Sequence, residues 1–289
     1  MWDEISLQPQ LQYDTINDKI VGFEDWGHKR TQRIADHALV FMLRGIRTGW
    51  KIPLSYNFCK SQTKSGQLIY CIKKIVKKVV QSGFTIIATV CDQATSNVSA
   101  INELLNHTRG MCLRNDEEFD GTIILYNQKI IHLYDPPHLI KGIRNNFLTK
   151  DIEIDIKSST ERKFASWDII ETAYHLDIFN NTLNRQLKKL TDEHIIRSKI
   201  KKMKVKLATQ VFSGTLSAFI EYNSRIQGFV EMNVGPLQIP QKEGFATAQV
   251  LDFFNKLFDS VNGLQLQSDI LLRVTVKKNH SKQTSFFLV

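Results

Sequence analysis

The spacing of apolar residues predicts that the chain begins with β-strands. Residues 2–7 read as the end of a strand, and residues 11–13 and 20–23 flank a polar turn in the manner of a β-hairpin. A further apolar run, ALVFMLRGI, covers residues 38–46 and also predicts a strand. We therefore expect hairpin-linked strands in the first part of the chain.

An amphipathic helix is predicted next, over residues 65–81. Its apolar residues recur at helical spacing, and four lysines lie on the other side, where we expect a solvated face. Gly83 ends this helix. Residues 85–91 are all apolar or β-branched, which is typical of a central strand covered on both faces.

The elements that follow alternate in type. A short helix is predicted over residues 98–106, strands over 122–126 and 129–134, and a helix over 136–148. Hairpin-linked strands followed by a β-α-β section are typical of an α/β fold, in which helices cover a mixed sheet.

The pattern changes near Asp151. Long helical patterns follow at 163–190, 191–212 and 246–262. We therefore predict two domains, an α/β domain over residues 1–150 and a mostly helical domain over residues 151–289, with the boundary in the segment DIEIDIKSST.

The composition predicts an intracellular globular protein. The chain is 42% hydrophobic and 23% charged, and no apolar run approaches the roughly 20 residues that span a bilayer. Its first residues do not resemble a signal peptide, and we expect no membrane association. The cysteines lack metal-finger spacing, so we predict small core residues. The net charge of +9 favours polyanions as partners, although it supports nucleic acid only weakly.

Asp92 stands where the strand over 85–91 ends, and open sheets bind ligands outside the carboxyl ends of their strands. If the first strand lies beside this one, Asp3 and Asp92 come close enough to share a divalent cation. Carboxylate and water ligands suit Mg²⁺ or Mn²⁺ rather than zinc, and two such charges would repel each other without a cation. The alternative is that Asp92, Thr95 or Ser96 caps the next helix.

Three more groups have two interpretations each. Asp135 precedes Pro136 at a predicted helix start, which favours a cap over a third metal ligand. Lys141 and Arg144 share a helix face that either holds DNA phosphates or is solvated. His138 either contacts a phosphate or packs in the fold.

Six cations lie within the ten residues from Arg197 to Lys206. An apolar stripe at helical spacing underlies them and favours a basic helix face over disorder. If all six contacted phosphates, the logarithm of the DNA-binding constant would fall with log salt with a slope of about −5, from about −0.9 per contact. Most such runs are solvated surface.

Five motifs follow one another along the chain: WDEISL, VCDQATSN, YDPPHLIKGIRNNFL, MKVKLATQVFS and NKLFDSVNG. Together with the order of elements, they resemble the P-element transposase family, including its THAP-domain relatives. The resemblance runs from about Trp2 to Gly263. It implies an RNase H-like domain with a DDE triad of catalytic carboxylates and a GTP-binding domain inserted into that fold.

The resemblance assigns roles to single residues. Asp3 and Asp92 correspond to the first two carboxylates of the triad. The third is a Glu that follows the insertion, and this chain offers no candidate for it, so we expect both domains to be incomplete and the chain alone to be inactive. The chain has no GxxxxGK[ST] loop, so GTP enters through the resemblance alone. Lys204 and Lys206 are then expected to contact its phosphates and Asp259 its guanine edge; ordinary helix-end chemistry is the alternative for Asp259.

Two functions follow as hypotheses. In the first, the full-length form is a nuclear DNA transposase that cuts and joins transposon ends with Mg²⁺ or Mn²⁺ and with GTP as a cofactor, and a homo-oligomer is one expected state. In the second, the chain is a non-catalytic DNA- or partner-binding protein derived from such an enzyme. A nucleotide-binding α/β domain unrelated to transposition would be favoured if Asp3 and Asp92 lay far apart.

Overall fold

The structure, a computed structural model, describes residues 1–154, 162–180, 184–232, 235–261 and 269–274. The chain forms two compact units, Met1–Asp135 and Pro136–Val289. A separate cluster of buried apolar side chains lies in each unit. The units divide earlier than the boundary near Asp151 that the change of pattern predicts.

The first unit begins with seven strands: β1 (Trp2–Ser6), β2 (Gln12–Asp14), β3 (Lys19–Val21), β4 (Phe23–Asp25), β5 (Arg30–Ile34), β6 (His37–Arg44) and β7 (Lys51–Cys59). Five of them form an antiparallel sheet in the order β1-β6-β7-β4-β5. Strands β2 and β3 form the predicted hairpin. Strands β4, β5 and β7 were not predicted.

The rest of the first unit contains α1 (Ser65–Gln81), β8 (Ala88–Cys91), α2 (Thr95–Arg114), β9 (Ile123–Leu125) and β10 (Gln128–Tyr134). Strand β10 pairs in parallel with β8 and antiparallel with β9. Helix α1 has its predicted bounds, β8 is shorter than predicted and α2 is longer. Both helices pack with Trp2, Leu39 and Phe41 of the sheet in one core.

The second unit is mostly helical, as predicted. Its elements are α3 (Pro136–Phe147), β11 (Ile152–Ile154), β12 (Lys163–Ala165), α4 (Trp167–Asn180), α5 (Asp192–Ile195), α6 (Val205–Val211), α7 (Gly214–Ile226), β13 (Phe229–Met232), β14 (Gly235–Gln238), α8 (Gln241–Val261) and a 3-10 turn at Leu271–Arg273. The centre of its core is Trp167, which is fully buried and donates its indole N–H to Ile195 O at 3.0 Å.

The continuous helical pattern predicted over 191–212 is wrong. The segment folds as the short helix α5, a series of turns and α6. Thr191 and His194 form a capping box at the start of α5. Met203, which the helical stripe would place in the core, is 79% exposed. The basic residues of this segment therefore do not form one helix face.

Two predictions from composition can be compared with the fold. All four cysteines are buried and free of disulfides, which confirms them as small core residues. Among the helices that the structure describes, none combines the length and the apolar character needed to cross a membrane.

Candidate functional site

Strands β1 and β8 come close together in the first unit, although they belong to different hydrogen-bonded sheets. The indole of Trp2 on β1 packs against the imidazole of His132 on β10, with ring centroids 6.1 Å apart. Its Nε1 donates a hydrogen bond of 2.9 Å to Asn97 Oδ1 in the first turn of α2. The start of β1 therefore lies beside β10 and beside the first turn of α2, and a first strand close to β8 is what the two-carboxylate prediction requires.

Asp3 is the second residue of β1 and is exposed, whereas Trp2 before it is buried in the core. Since successive side chains of a strand point to opposite faces, Asp3 lies on the face away from that core. Its Oδ1 accepts the backbone N–H of Glu4 at 2.8 Å. Glu4 itself accepts the N–H of Thr63 at 2.9 Å and has a structural role, as its position in the strand favours.

Asp92 directly follows β8 and is partly buried. Its Oδ1 accepts two hydrogen bonds, from Ala94 N at 3.0 Å and from Asn97 Nδ2 at 2.6 Å. The bond to Ala94 is a side-chain turn that leads the chain into α2. Within the described residues, Oδ2 accepts no hydrogen bond, so one oxygen of Asp92 starts the helix and the other can bind a ligand.

Both carboxylates act on the thiol of Cys91. Burial raises the pKa of Cys91 to about 12, and the negative charges of Asp92 and Asp3 add to this effect. At neutral pH the thiol is protonated and is neither a nucleophile nor a metal ligand.

The other polar groups nearby do not complete a metal site. The backbone N–H of Asp135 donates to Cys91 O at 2.8 Å and continues the ladder between β10 and β8. His132 contacts Thr89 Oγ1 through Nδ1, and burial lowers its pKa to about 4, so it is neutral. Across the described residues, no three His, Cys, Asp or Glu side chains form a group that could hold a metal ion. The carboxylate oxygens of Asp3 and Asp92 fit Mg²⁺ or Mn²⁺ by their chemistry.

The DNA-contact prediction for Arg144 does not agree with its position. Arg144 is fully buried, and its guanidinium donates from Nε to Asn145 Oδ1 and from Nη2 to Lys202 O. It cannot reach a phosphate in this conformation. Lys141, three residues earlier on α3, is half-buried, and its DNA contact stays a prediction.

Three of the six cations in the basic run are paired with acids. Arg197 pairs with Asp168 and Glu171, Lys199 with Asp192, and Lys201 with Glu193. In the part of the chain that the structure describes, no carboxylate lies within ion-pair distance of Lys202, Lys204 or Lys206. All three are exposed just before or at the start of α6, so this short segment carries the remaining free positive charge.

Asp259, the predicted guanine contact, lies near the end of α8 and is 6% exposed. Its Oδ1 accepts a hydrogen bond from Arg273 Nε at 2.8 Å and forms an ion pair with Arg273 Nη2 at 2.7 Å. Among the described contacts, none joins Asp259 to Lys204 or Lys206. No local signal marks Arg273 or Asn97 as a site residue: Arg273 reaches Asp259 from 14 positions along the chain, and Asn97 resembles any polar residue in the first turn of a helix.

Comparison with known proteins covers both units. Residues 1–105 match the family described as TNP-like, RNase H N-terminal domain, and residues 137–271 match the TNP-like, GTP-binding insertion domain. The Transposable element P transposase of Drosophila melanogaster is 26% identical over 220 residues, which are 76% of this chain and 25% of that protein.

A solved structure, the Drosophila P element transposase strand transfer complex, matches with a TM-score of 0.70 and 23% identity, over 99% of this chain and 56% of that chain. This likeness shows the fold. The predicted fold class, an RNase H-like mixed sheet followed by a mostly helical insertion domain, is confirmed. The chain spans only part of the length of either relative.

Proposed function

Because the chain belongs to the P-element transposase family, we propose that it supplies part of a nuclear DNA transposase that cuts and joins transposon ends. The observation that supports this proposal is that β1, which carries Asp3, comes close to β8, which Asp92 directly follows. The family relationship supports the reaction class, and the paired carboxylates support metal-dependent phosphodiester transfer.

Asp3 and Asp92 would hold Mg²⁺ or Mn²⁺ through their carboxylate oxygens. A bound cation supplies Lewis-acid activation of a water or 3′-hydroxyl and stabilises the leaving oxygen of the phosphodiester. The residues of this chain orient the carboxylates: Ala94 and Asn97 hold Oδ1 of Asp92, and Glu4 N–H holds Oδ1 of Asp3.

The sheet face that carries Asp3 supports a third carboxylate from elsewhere. Tyr56 lies on the same face, since Asp3 is paired with Val40 and Val40 with Tyr56. On β10, Ile131 and Leu133 point away from the core that holds His132. All three of these side chains are about half exposed or more. Strand β10 belongs to a different sheet from β1 and β7, so these are two exposed apolar patches. Patches of this kind fit a covering element, and we place the third carboxylate of the triad on such an element.

The second unit would bind GTP. We propose that Asp259 accepts the N–H groups of the guanine edge and that Lys204 and Lys206 bind phosphates. Arg273 now occupies Oδ1 of Asp259, so it has to move when guanine binds. The half-buried Lys141 and the exposed Lys202 would contact the backbone of the transposon DNA. A homo-oligomer stays a prediction.

A second candidate function is a DNA- or partner-binding protein without catalysis. This function is favoured because, among the described residues, no third metal-binding side chain forms a group with the two carboxylates. In that case the chain binds transposon ends at low salt but leaves them intact.

One experiment tests both functions. The purified chain and its Asp92→Ala and Asp3→Asn variants are incubated with DNA carrying transposon ends, GTP and Mn²⁺ or Mg²⁺, and bound DNA, cut strands and bound Mn²⁺ are measured. We expect DNA binding by all three proteins, no cutting by any, and Mn²⁺ binding by the wild type alone. Mn²⁺ binding that survives both substitutions would refute the metal site. Cutting that depends on Asp92 would refute the inactivity of this chain and exclude the second function.

A further inference from the structure

Asn97 connects the two strands that carry the candidate carboxylates. It lies in the first turn of α2 and is 7% exposed. Its Nδ2 donates to Asp92 Oδ1 at 2.6 Å, and its Oδ1 accepts from Trp2 Nε1 at 2.9 Å. Because Trp2 is the residue before Asp3, one buried amide joins the side chain next to the first acid to the carboxylate of the second.

The orientation of this amide is determined by its partners. An indole nitrogen can only donate a hydrogen bond, and an ionised carboxylate can only accept one. If the Asn97 amide were rotated by half a turn, its NH₂ group would face the Trp2 N–H and its oxygen would face Asp92. Both bonds would then be lost in a buried place, where unpaired polar groups are costly. Trp2 therefore holds the Asn97 donor on Asp92.

The consequence lies in the two oxygens of Asp92. Oδ1 receives two donors, Ala94 N and Asn97 Nδ2, and a bond of an amide to a charged carboxylate is stronger than one between neutral groups. Carboxylates that bind metals are commonly held in this way by hydrogen bonds from outer-shell residues. In the described structure, Oδ2 receives no such bond.

We propose that Asn97 is a positioning residue, which is held by Trp2 and fixes the Asp92 carboxylate so that Oδ2 remains for the divalent cation. This inference rests on the proposed function, because it assigns Asn97 a task in the same metal site. It goes beyond that function by naming the residue that couples the strand of Asp3 to Asp92.

Two variants remove the bridge in different ways. Asn97→Leu keeps a similar volume and removes both polar atoms. Trp2→Phe keeps an aromatic ring in the core and removes only the indole donor. The matched control is Thr108→Val, because Thr108 is buried in the same helix and its Oγ1 accepts Ile124 N at 3.0 Å. Thr108→Val therefore breaks a buried hydrogen bond without touching Asp92.

The first measurement needs no metal. Solvent exchange of the Trp2 indole proton is followed by NMR in the wild type and in Asn97→Leu. We expect slow exchange in the wild type and faster exchange in the variant. Equal exchange rates in the two proteins would overturn the bridge itself, whether or not the chain binds a cation.

The second measurement is the Mn²⁺ concentration at which the NMR signal of the Ala94 amide is broadened to half its height. This measurement also detects weak binding. Loss of an outer-shell partner lowers metal affinity about tenfold or more, so we expect a shift of about that size for Asn97→Leu and a smaller one for Trp2→Phe. Thr108→Val should stay within about twofold of the wild type although its melting temperature falls.

The outcomes separate the two proposals. If Asp92→Asn abolishes the broadening while Asn97→Leu and Trp2→Phe behave like Thr108→Val, the positioning role is refuted and the metal site stands. If Asp92→Asn leaves the wild-type broadening unchanged, the metal site and the task assigned to Asn97 are both refuted, and the indole exchange still shows whether the bridge exists.

Discussion

Replacement of Arg273 by Ala should strengthen GTP binding. In the structure, Arg273 Nε donates a hydrogen bond to Asp259 Oδ1, the atom proposed to receive the guanine edge, and Arg273 Nη2 forms an ion pair with the same oxygen. Guanine and Arg273 then compete for one carboxylate. The free energy of the ion pair has to be given up before guanine binds, so removal of the arginine removes that cost.

The size of the effect follows from the exposure of the pair. The Asp259 side chain is 8% exposed and the Arg273 side chain 48%. Because water screens the arginine, we assign the pair about 1 kcal/mol, the upper end of the range for exposed ion pairs. At about 1.4 kcal/mol for a factor of ten, the dissociation constant for GTP should fall about fivefold in Arg273→Ala.

The assay is a titration of the chain with a fluorescent GTP analogue. Two variants accompany Arg273→Ala. Asp259→Asn should weaken binding by about tenfold or more, since a hydrogen bond to a charged group is lost. Lys256→Ala serves as the control, because it removes an exposed ion pair with Asp252 on the same helix α8 and should leave the affinity unchanged. Unchanged or weaker binding in Arg273→Ala would refute the competition, and unchanged binding in Asp259→Asn would remove Asp259 from the site.

Three further predictions concern other parts of the chain. Asp177→Asn should lower the free energy of unfolding, measured with urea, by about 3 kcal/mol, because this fully buried carboxylate accepts hydrogen bonds from Arg185 Nε and from two backbone N–H groups. A decrease of less than about 1 kcal/mol would contradict this. Burial lowers the pKa of His132 from 6.5 to about 4, so the unfolded chain becomes protonated at this residue at a higher pH than the folded chain. The free energy of unfolding should therefore fall as the pH drops from 6.5 to 4. The urea midpoint of His132→Gln should depend less on pH over this range. Lys141→Ala should reduce the salt slope of DNA binding by about 0.9 if Lys141 contacts a phosphate, and an unchanged slope would exclude the contact.

Helix α1 could be predicted from the sequence because its determinants are local. Buried Leu68, Ile72, Val76 and Val79 recur at helical spacing, and Gly83 follows with a positive φ of 84°. The stripe and the stop signal are both contained in one segment.

Strand β7 could not be predicted in the same way. Its first four residues are all exposed, so no alternation of buried and exposed positions marks them. It contains Pro53, which argues against a strand in a sequence pattern. In the structure, Pro53 is paired with Met42 at the point where the register of β6 and β7 shifts, and a bulge accommodates a residue that lacks an N–H. The strand is therefore determined by a partner in another part of the chain.

The missed break in the basic segment has an electrostatic cause. Apolar spacing across Ile196, Ile200 and Met203 is compatible with a helix. The turns are instead held by side chains: Arg197 reaches Glu171 on α4, and Lys199 pairs with Asp192. Contacts to a different helix are not visible in a local pattern, so periodicity predicted a helix where the fold has turns.

The sequence predicts the candidate carboxylates but not the hydrogen-bond donors that orient them. An acid at the end of an apolar strand is a local signal, and it led to Asp92. The residue that orients Asp92 is determined by a contact between Trp2 and Asn97, which are 95 positions apart. Without knowledge of Trp2 as its partner, Asn97 is interpreted only as a polar residue at the start of a helix.

The cap and ligand interpretations of Asp92 are compatible in the structure. A carboxylate has two oxygens, and the helix start uses only Oδ1, through Ala94 and Asn97. An acid that starts a helix is held in one orientation by backbone geometry, and such rigidity lowers the cost of ordering a metal ligand. Asp3 lies exposed on the outer face of β1, whereas Asp92 is partly buried. Of the two acids, Asp92 is therefore the better prepared ligand, and its substitution should weaken Mn²⁺ binding more than that of Asp3.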